Sequence, residues 1–371
     1  MLLFKVSLLL LLVASTVRCA SAAVSSSWQV ANFTGSVERV STQDGYDETD
    51  FYYPVVDPEE PVNFPFIVFL SGGLVDKSLY SNFAFALASY GYIVVIPNHQ
   101  QTIVPNMPPD LWASQLTPSD VLLDLTVRSQ TSSSPLFEIV DTTRGGLSGH
   151  SNGGGAVLFA SSSQCQIPFC FGPVFERPDA FRATVAISTH LIPQGGPPGA
   201  NIDEPVNVDN EIPVALINGE LDSMGDVCKS WPLVEEEKDM IIVEGTNHWA
   251  VTNIQDPPGN TPDEFPQTRS QEWSNQMFAK WTAIVFDAYL KQDLPAFDPE
   301  DVDEGVSINE HCQSDQETEA LSTPTTSNSE LSTALIVALS LCLSFLHHVG
   351  CGWSLLLLPK EPFFYKGGLC G

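Results

Sequence analysis

The sequence predicts an α/β fold, with a mainly parallel central sheet covered by helices on both faces. Three observations carry that prediction. Phe64 to Leu70 (Phe-Pro-Phe-Ile-Val-Phe-Leu) and Tyr92 to Ile96 are short, continuous apolar runs, the pattern of strands buried on both sides. Between them Leu79, Phe83, Phe85, Leu87 and Tyr90 mark a helix that Gly91 ends, completing a strand-helix-strand unit. Further on, a strand ending near Ser148 passes through a glycine-rich turn straight into helical sequence, so strands and helices keep alternating.

The remaining elements follow in order. Between Trp28 and Val56, Ser36 to Ser41 and Asp50 to Tyr53 read as strands of an antiparallel sheet edge, separated by the turn Thr42-Gln43-Asp44-Gly45. Leu111 to Gln115 and Ser119 to Ser129 read as helical pieces, the second capped by Ser119. Asn152 to Ala160 should be helix, and Ala183 to Ser188, Pro213 to Asn218 and Asp239 to Val243 strands. Trp273, Met277, Trp281, Ile284, Val285 and Ala288 recur at helical spacing in a closing amphipathic helix.

Both ends of the chain differ in composition from this core. Residues 1–22 have the form of a secretory signal peptide: Lys5, the apolar run Val6 to Ala14, and the small residues Ala20-Ser21-Ala22. The folded domain is expected over 28–297, and an acidic, Ser/Thr-rich linker over 298–333. Residues 334–371 read as a hydrophobic C-terminal anchor or anchor signal. Small residues, a polar gap and an apolar tail suit a lipid anchor, and a single span is the alternative. Secretion or cell-surface display with membrane attachment is therefore expected. In that compartment Cys165, Cys170, Cys228 and Cys312 should be disulfide-bonded. The short Gln-Ile-Pro-Phe segment between the first two favours Cys165 to Cys170, and hence Cys228 to Cys312. Asn32-Phe33-Thr34 is a glycosylation acceptor there. A formal charge of -30 in 371 residues opposes a phosphate backbone, so nucleic acid is not expected as a partner.

The glycine-rich turn is Gly149-His150-Ser151-Asn152-Gly153, which fits Gly-x-Ser-x-Gly. Such a turn holds its serine at strained backbone angles with the hydroxyl exposed at a strand end, and side chains at the flanking glycines would collide with neighbouring elements. A serine nucleophile needs a base, and the base an orienting acid. Asp222, in Gly219-Glu220-Leu221-Asp222, and His248, in Gly245-Thr246-Asn247-His248, each follow a buried strand, in the order acid then histidine. Charge developing on a tetrahedral oxyanion also needs donors, for which the amides of Asn152 and Gly73, with Leu74 as the alternative to Gly73, are the candidates. This chemistry needs no cofactor and no metal.

These residues resemble the serine esterases of the α/β-hydrolase fold that include chlorophyllases, cutinase-like polyesterases (PET hydrolase-like) and platelet-activating-factor acetylhydrolases. The likeness rests on Leu79-Tyr80-Ser81 with Leu87-Ala88-Ser89-Tyr90-Gly91-Tyr92, on Ser151-Asn152-Gly153-Gly154-Gly155, and on the Asp222 and His248 loops, and covers roughly Phe51 to Leu290. It implies an α/β-hydrolase fold and carboxylic-ester hydrolysis through an acyl-enzyme. Leu74, Tyr80, His190 and Trp249 would line the substrate pocket. The overall charge and the aromatic surroundings favour a small-molecule or lipid-like neutral ester. An acyltransferase of the same fold and a non-catalytic recognition ectodomain are the alternatives.

Overall fold

The computed structural model describes residues 28–309 and 312, apart from 42–44, 58, 60–61, 103–107, 172–174, 190, 192–205, 236 and 292–301. The proposed signal peptide, most of the linker and the C-terminal segment lie outside the described residues. The strands, in chain order, are β1 (Val30–Glu38), β2 (Tyr46–Pro54), β3 (Phe64–Leu70), β4 (Ile93–Asn98), β5 (Gln100–Gln101), β6 (Asp110–Leu111), β7 (Val140–His150), β8 (Phe181–Ile187), β9 (Val214–Gly219), β10 (Lys238–Val243) and β11 (Val306–Ile308). Nine of them form one sheet with spatial order β1-β2-β4-β3-β7-β8-β9-β10-β11, and β5 and β6 form a separate ribbon. From β4 through β3, β7, β8 and β9 to β10 every pairing is parallel, while β1, β2 and β11 pair antiparallel at the two margins. This is the α/β-hydrolase architecture that the sequence predicts.

Burial on both faces follows from the strands' composition. Every residue of β3 and of β9 is buried, as their unbroken apolar runs require. The helices are α1 (Ser81–Ser89), α2 (Thr117–Gln130), α3 (Asn152–Ala160), the single turn α4 (Val227–Ser230) and α5 (Gln271–Leu290). One face of the sheet carries α1 and α5, which pack Phe83, Leu87, Phe278, Trp281 and Phe286 over Ile67, Val94 and Val185. The other carries α2 and α3, with Val121, Leu125, Val157 and Leu158 over Val68, Val95 and Leu147. Because β3, β7, β9 and β10 run parallel within one sheet, the loops leaving them emerge at the same edge.

Two sequence-based expectations are corrected. Leu111 to Gln115 is not helical: β6 pairs antiparallel with β5, and Trp112 and Ala113 continue as irregular chain. A pairing across an intervening loop outweighs local helical spacing there. α2 begins at Thr117 with Pro118 in its first turn, so Ser119 lies within the helix and does not cap it. In addition, ordered structure continues past residue 297, since β11 adds to β10 and a Cys228–Cys312 disulfide follows it.

Candidate active site

Strand β7 delivers Ser151 to the carboxyl edge of the sheet, and α3 starts at the next residue. Ser151 has φ 53° and ψ −119°, a strained conformation for a residue with a side chain. Its surroundings hold it there: its N–H donates to the Ile187 carbonyl (2.9 Å), and its own carbonyl accepts from Gly155 N–H (3.1 Å) and the Thr189 hydroxyl (2.8 Å). The flanking glycines are steric necessities. A Cβ at Gly149 would lie 2.4 Å from the Gly153 carbonyl oxygen, and one at Gly153 would lie 2.1 Å from the Leu70 oxygen. Ser151 itself remains only half-buried.

The candidate acid and base arrive on adjacent parallel strands. Asp222 follows β9 and His248 follows β10, and their loops are laced together by Leu221 N–H to Thr246 O (2.9 Å) and Gly245 N–H to the Glu220 carboxylate (2.9 Å). His248 Nδ1 lies 3.1 and 3.2 Å from the two Asp222 carboxylate oxygens, and both side chains are almost wholly buried. Asp222 is steadied in turn by the N–H groups of Met224 (2.9 Å) and Gly225 (2.6 Å). The carboxylate can only accept, so it selects the tautomer with the proton on Nδ1 and leaves Nε2 as the basic nitrogen. Nε2 has no hydrogen-bond partner among the described residues. Ser151 therefore makes no hydrogen bond to it in this structure.

On the opposite side of the serine lies the loop after β3. Leu74 N–H is already engaged by the Leu111 carbonyl at 2.8 Å, whereas Gly73 N–H has no backbone acceptor among the described residues. Asn152 opens α3, so its N–H is one of the unpaired donors of the first helical turn. Its side-chain oxygen accepts Ala113 N–H at 3.3 Å. Trp112 packs on Gly73, where an added Cβ would come within 2.7 Å of the indole. The 110–113 segment thus braces both residues that the sequence nominates as oxyanion donors.

The expected pocket residues fall differently. Leu74 is 39% exposed and adopts φ 61° on the loop beside the serine. Tyr80 is fully buried, with its hydroxyl bonded to Gly72 N–H and to His150. Trp249 is also buried, and its indole N–H donates to the Thr261 carbonyl at 3.2 Å. Neither of these two rings offers a face to solvent, and His190 lies outside the described residues. Cys165 pairs with Cys170 and Cys228 with Cys312, and Asn32 stands exposed on the edge strand β1.

Two participants escape sequence reasoning. Asp263 reaches the site from the long connection before α5, accepting His248 N–H at 2.7 Å. His150, the variable residue before the serine, is buried against His248 with both ring nitrogens hydrogen-bonded. A polar ring at a position enclosed by the elbow is the only sequence signal that could have marked it. Among the described residues no group of three or more His, Cys, Asp or Glu is arranged to hold a metal ion.

The family model described as PETase: PET hydrolase-like matches residues 18–174, a span that includes the β3 loop and Ser151 and stops short of Asp222 and His248. No curated protein matches the chain. The family match supports an α/β-hydrolase of the polyesterase and cutinase-like group, and implies serine ester hydrolysis in general terms.

Proposed function

We propose that this chain is a secretory-pathway serine carboxylic-ester hydrolase that works through an acyl-enzyme on neutral or lipid-like esters. The observation that carries the reading is a half-buried serine in a strained elbow on the same sheet edge as a buried His248–Asp222 pair whose Nε2 is unpartnered among the described residues. Ser151 Oγ attacks the ester carbonyl as His248 Nε2 takes its proton, and Asp222 holds the imidazole and offsets the charge it gains. The Gly73 and Asn152 amides stabilise the oxyanion, a contribution of about 3 kcal/mol for one such donor. The proton returns to the leaving alcohol, and water then repeats the sequence on the acyl-serine.

Preference for a neutral ester rests on the overall charge of -30 and on the apolar side chains at the loop after β3, the exposed Leu74 and the Trp112 that packs on Gly73. Matched pairs of neutral and anionic acyl esters test it: faster hydrolysis of the anionic member would overturn the substrate class. Attachment to a membrane through 334–371 belongs to the same proposal. Among the described residues no helix is long and apolar enough to cross a membrane, and that segment lies outside them. Release of the protein from membranes by phospholipase indicates a lipid anchor, release only by detergent indicates a span, and recovery of the full-length chain in the medium without either contradicts attachment.

A further inference from the structure

One buried histidine touches all three working parts of the proposed site. His150 is covalently adjacent to Ser151, its Nε2 lies 2.9 Å from the His248 carbonyl oxygen, and its Nδ1 lies 2.9 Å from the Tyr80 hydroxyl. Tyr80 Oη in turn accepts Gly72 N–H, 2.9 Å away, from the loop that carries Gly73. From these contacts we infer that His150 and Tyr80 form a directional positioning relay, which sets the oxyanion loop and the general base in register across the nucleophile. This inference rests on the proposed hydrolase reading.

The direction follows from elementary donor and acceptor rules. A carbonyl oxygen only accepts, so His150 Nε2 carries a proton and donates it to His248 O. Both His150 and Tyr80 are fully buried. Burial first, and then the neighbouring His248, holds the His150 imidazole well below its ordinary proton affinity, so the ring is neutral and Nδ1 is an acceptor. Tyr80 must therefore donate to Nδ1, leaving its oxygen lone pairs for Gly72 N–H. One orientation satisfies every group, from Gly72 N–H through Tyr80 O–H to His150 and from His150 N–H to His248 C=O.

Packing gives the relay its reach. A Cβ on Gly72 would lie 3.0 Å from His150 Nδ1, 3.1 Å from the Tyr80 hydroxyl and 3.4 Å from Ser151 Cβ. Gly72 is thus clasped between relay and nucleophile, and a tilt of its peptide changes where the next amide, that of Gly73, points. At the other end, His248 is held at its carbonyl by His150 and at its N–H by Asp263. Neither His150 nor Tyr80 is a catalytic residue, since neither reaches the reacting atoms.

A variant series tests the relay in the full chain, with kcat expressed per active site titrated by a fluorophosphonate so that unfolded protein is not counted. Tyr80→Phe and His150→Phe should each lower kcat roughly tenfold to a hundredfold with KM little changed, the scale expected for misplacement near the chemistry. Combined, they should lose no more than the worse single variant, because either one breaks the same chain. His150→Gln should recover most of the rate, since a carboxamide offers an acceptor and a donor at nearly the imidazole spacing; this variant also serves if His150→Phe does not fold. Unchanged kcat in Tyr80→Phe, multiplicative losses in the double variant, or a His150→Gln protein no better than His150→Phe would overturn the relay while the wild-type chain still labels. A wild-type chain that neither labels nor hydrolyses any ester would instead overturn the hydrolase reading and the relay with it.

Discussion

Asp263 accepts the backbone N–H of His248 at 2.7 Å, and its other carboxylate oxygen takes the hydroxyl and N–H of Ser223, the residue after Asp222. One carboxylate thus fastens the loop of His248 to the loop of Asp222, from a segment that supplies neither residue. Asp263→Ala should lower kcat roughly tenfold, equivalent to ~1.4 kcal/mol of barrier, with a smaller effect on KM. Asp263→Asn should fall between, because its amide keeps one acceptor oxygen and opposes a donor with its NH2. Wild-type kcat in both variants would show that the tie has no bearing on the base.

The elbow makes a harder structural demand. Gly153→Ala places a methyl 2.1 Å from the Leu70 carbonyl and 2.5 Å from that of Ser71, both backbone atoms of the β3 end. α3 would have to lift away from the sheet, at a cost of about 3 kcal/mol or more. Chemical denaturation should show that loss, and a variant within about 1 kcal/mol of wild type would mean that helix and strand are less closely packed than described.

Acid stability should report His150. Its folded proton affinity is depressed by burial and by His248, so the unfolded chain binds a proton that the folded site refuses once the pH falls below the unfolded value of about 6.5. This contribution is complete above that pH and is lost progressively below it, at up to ~1.4 kcal/mol per pH unit for the single group. Tyr80 and His248 are the titratable side chains that face the ring. Between roughly pH 5 and 6.5, His150→Gln should therefore lose less stability than wild type, and parallel denaturation curves would contradict the assignment.

The two disulfides should differ in worth. Cys228–Cys312 closes a separation of 84 residues and Cys165–Cys170 only 5, so chain entropy assigns about 2.5 kcal/mol more to the longer loop. Replacing each pair with alanine and measuring unfolding in urea checks the order. A larger loss from removing Cys165–Cys170 would contradict it.

Much of this was legible in the sequence, for identifiable reasons. β3 and β9 announce themselves because burial on both faces leaves no polar residue in Phe66 to Leu70 or Val214 to Ile217. The elbow is legible because its strain and close packing exclude side chains at fixed positions, and the meeting of Asp222 with His248 because both residues follow strands that end at one edge of the sheet. β11 was hidden by its acidic approach, since three residues pairing with a distant strand leave no periodicity to read. The ribbon of β5 and β6 was hidden in the same way. His150 and Tyr80 lie 70 residues apart, and His150 and His248 98 apart, so only the fold brings their polar atoms together.

Covalent trapping tests the central claim most directly. Hydrolysis through Ser151 predicts that a fluorophosphonate adds once to the folded chain, on the peptide containing Gly149-His150-Ser151-Asn152-Gly153, and that Ser151→Ala abolishes both the adduct and ester turnover. A folded wild-type protein that forms no adduct, or a Ser151→Ala variant that still turns over ester at the wild-type rate, would contradict it.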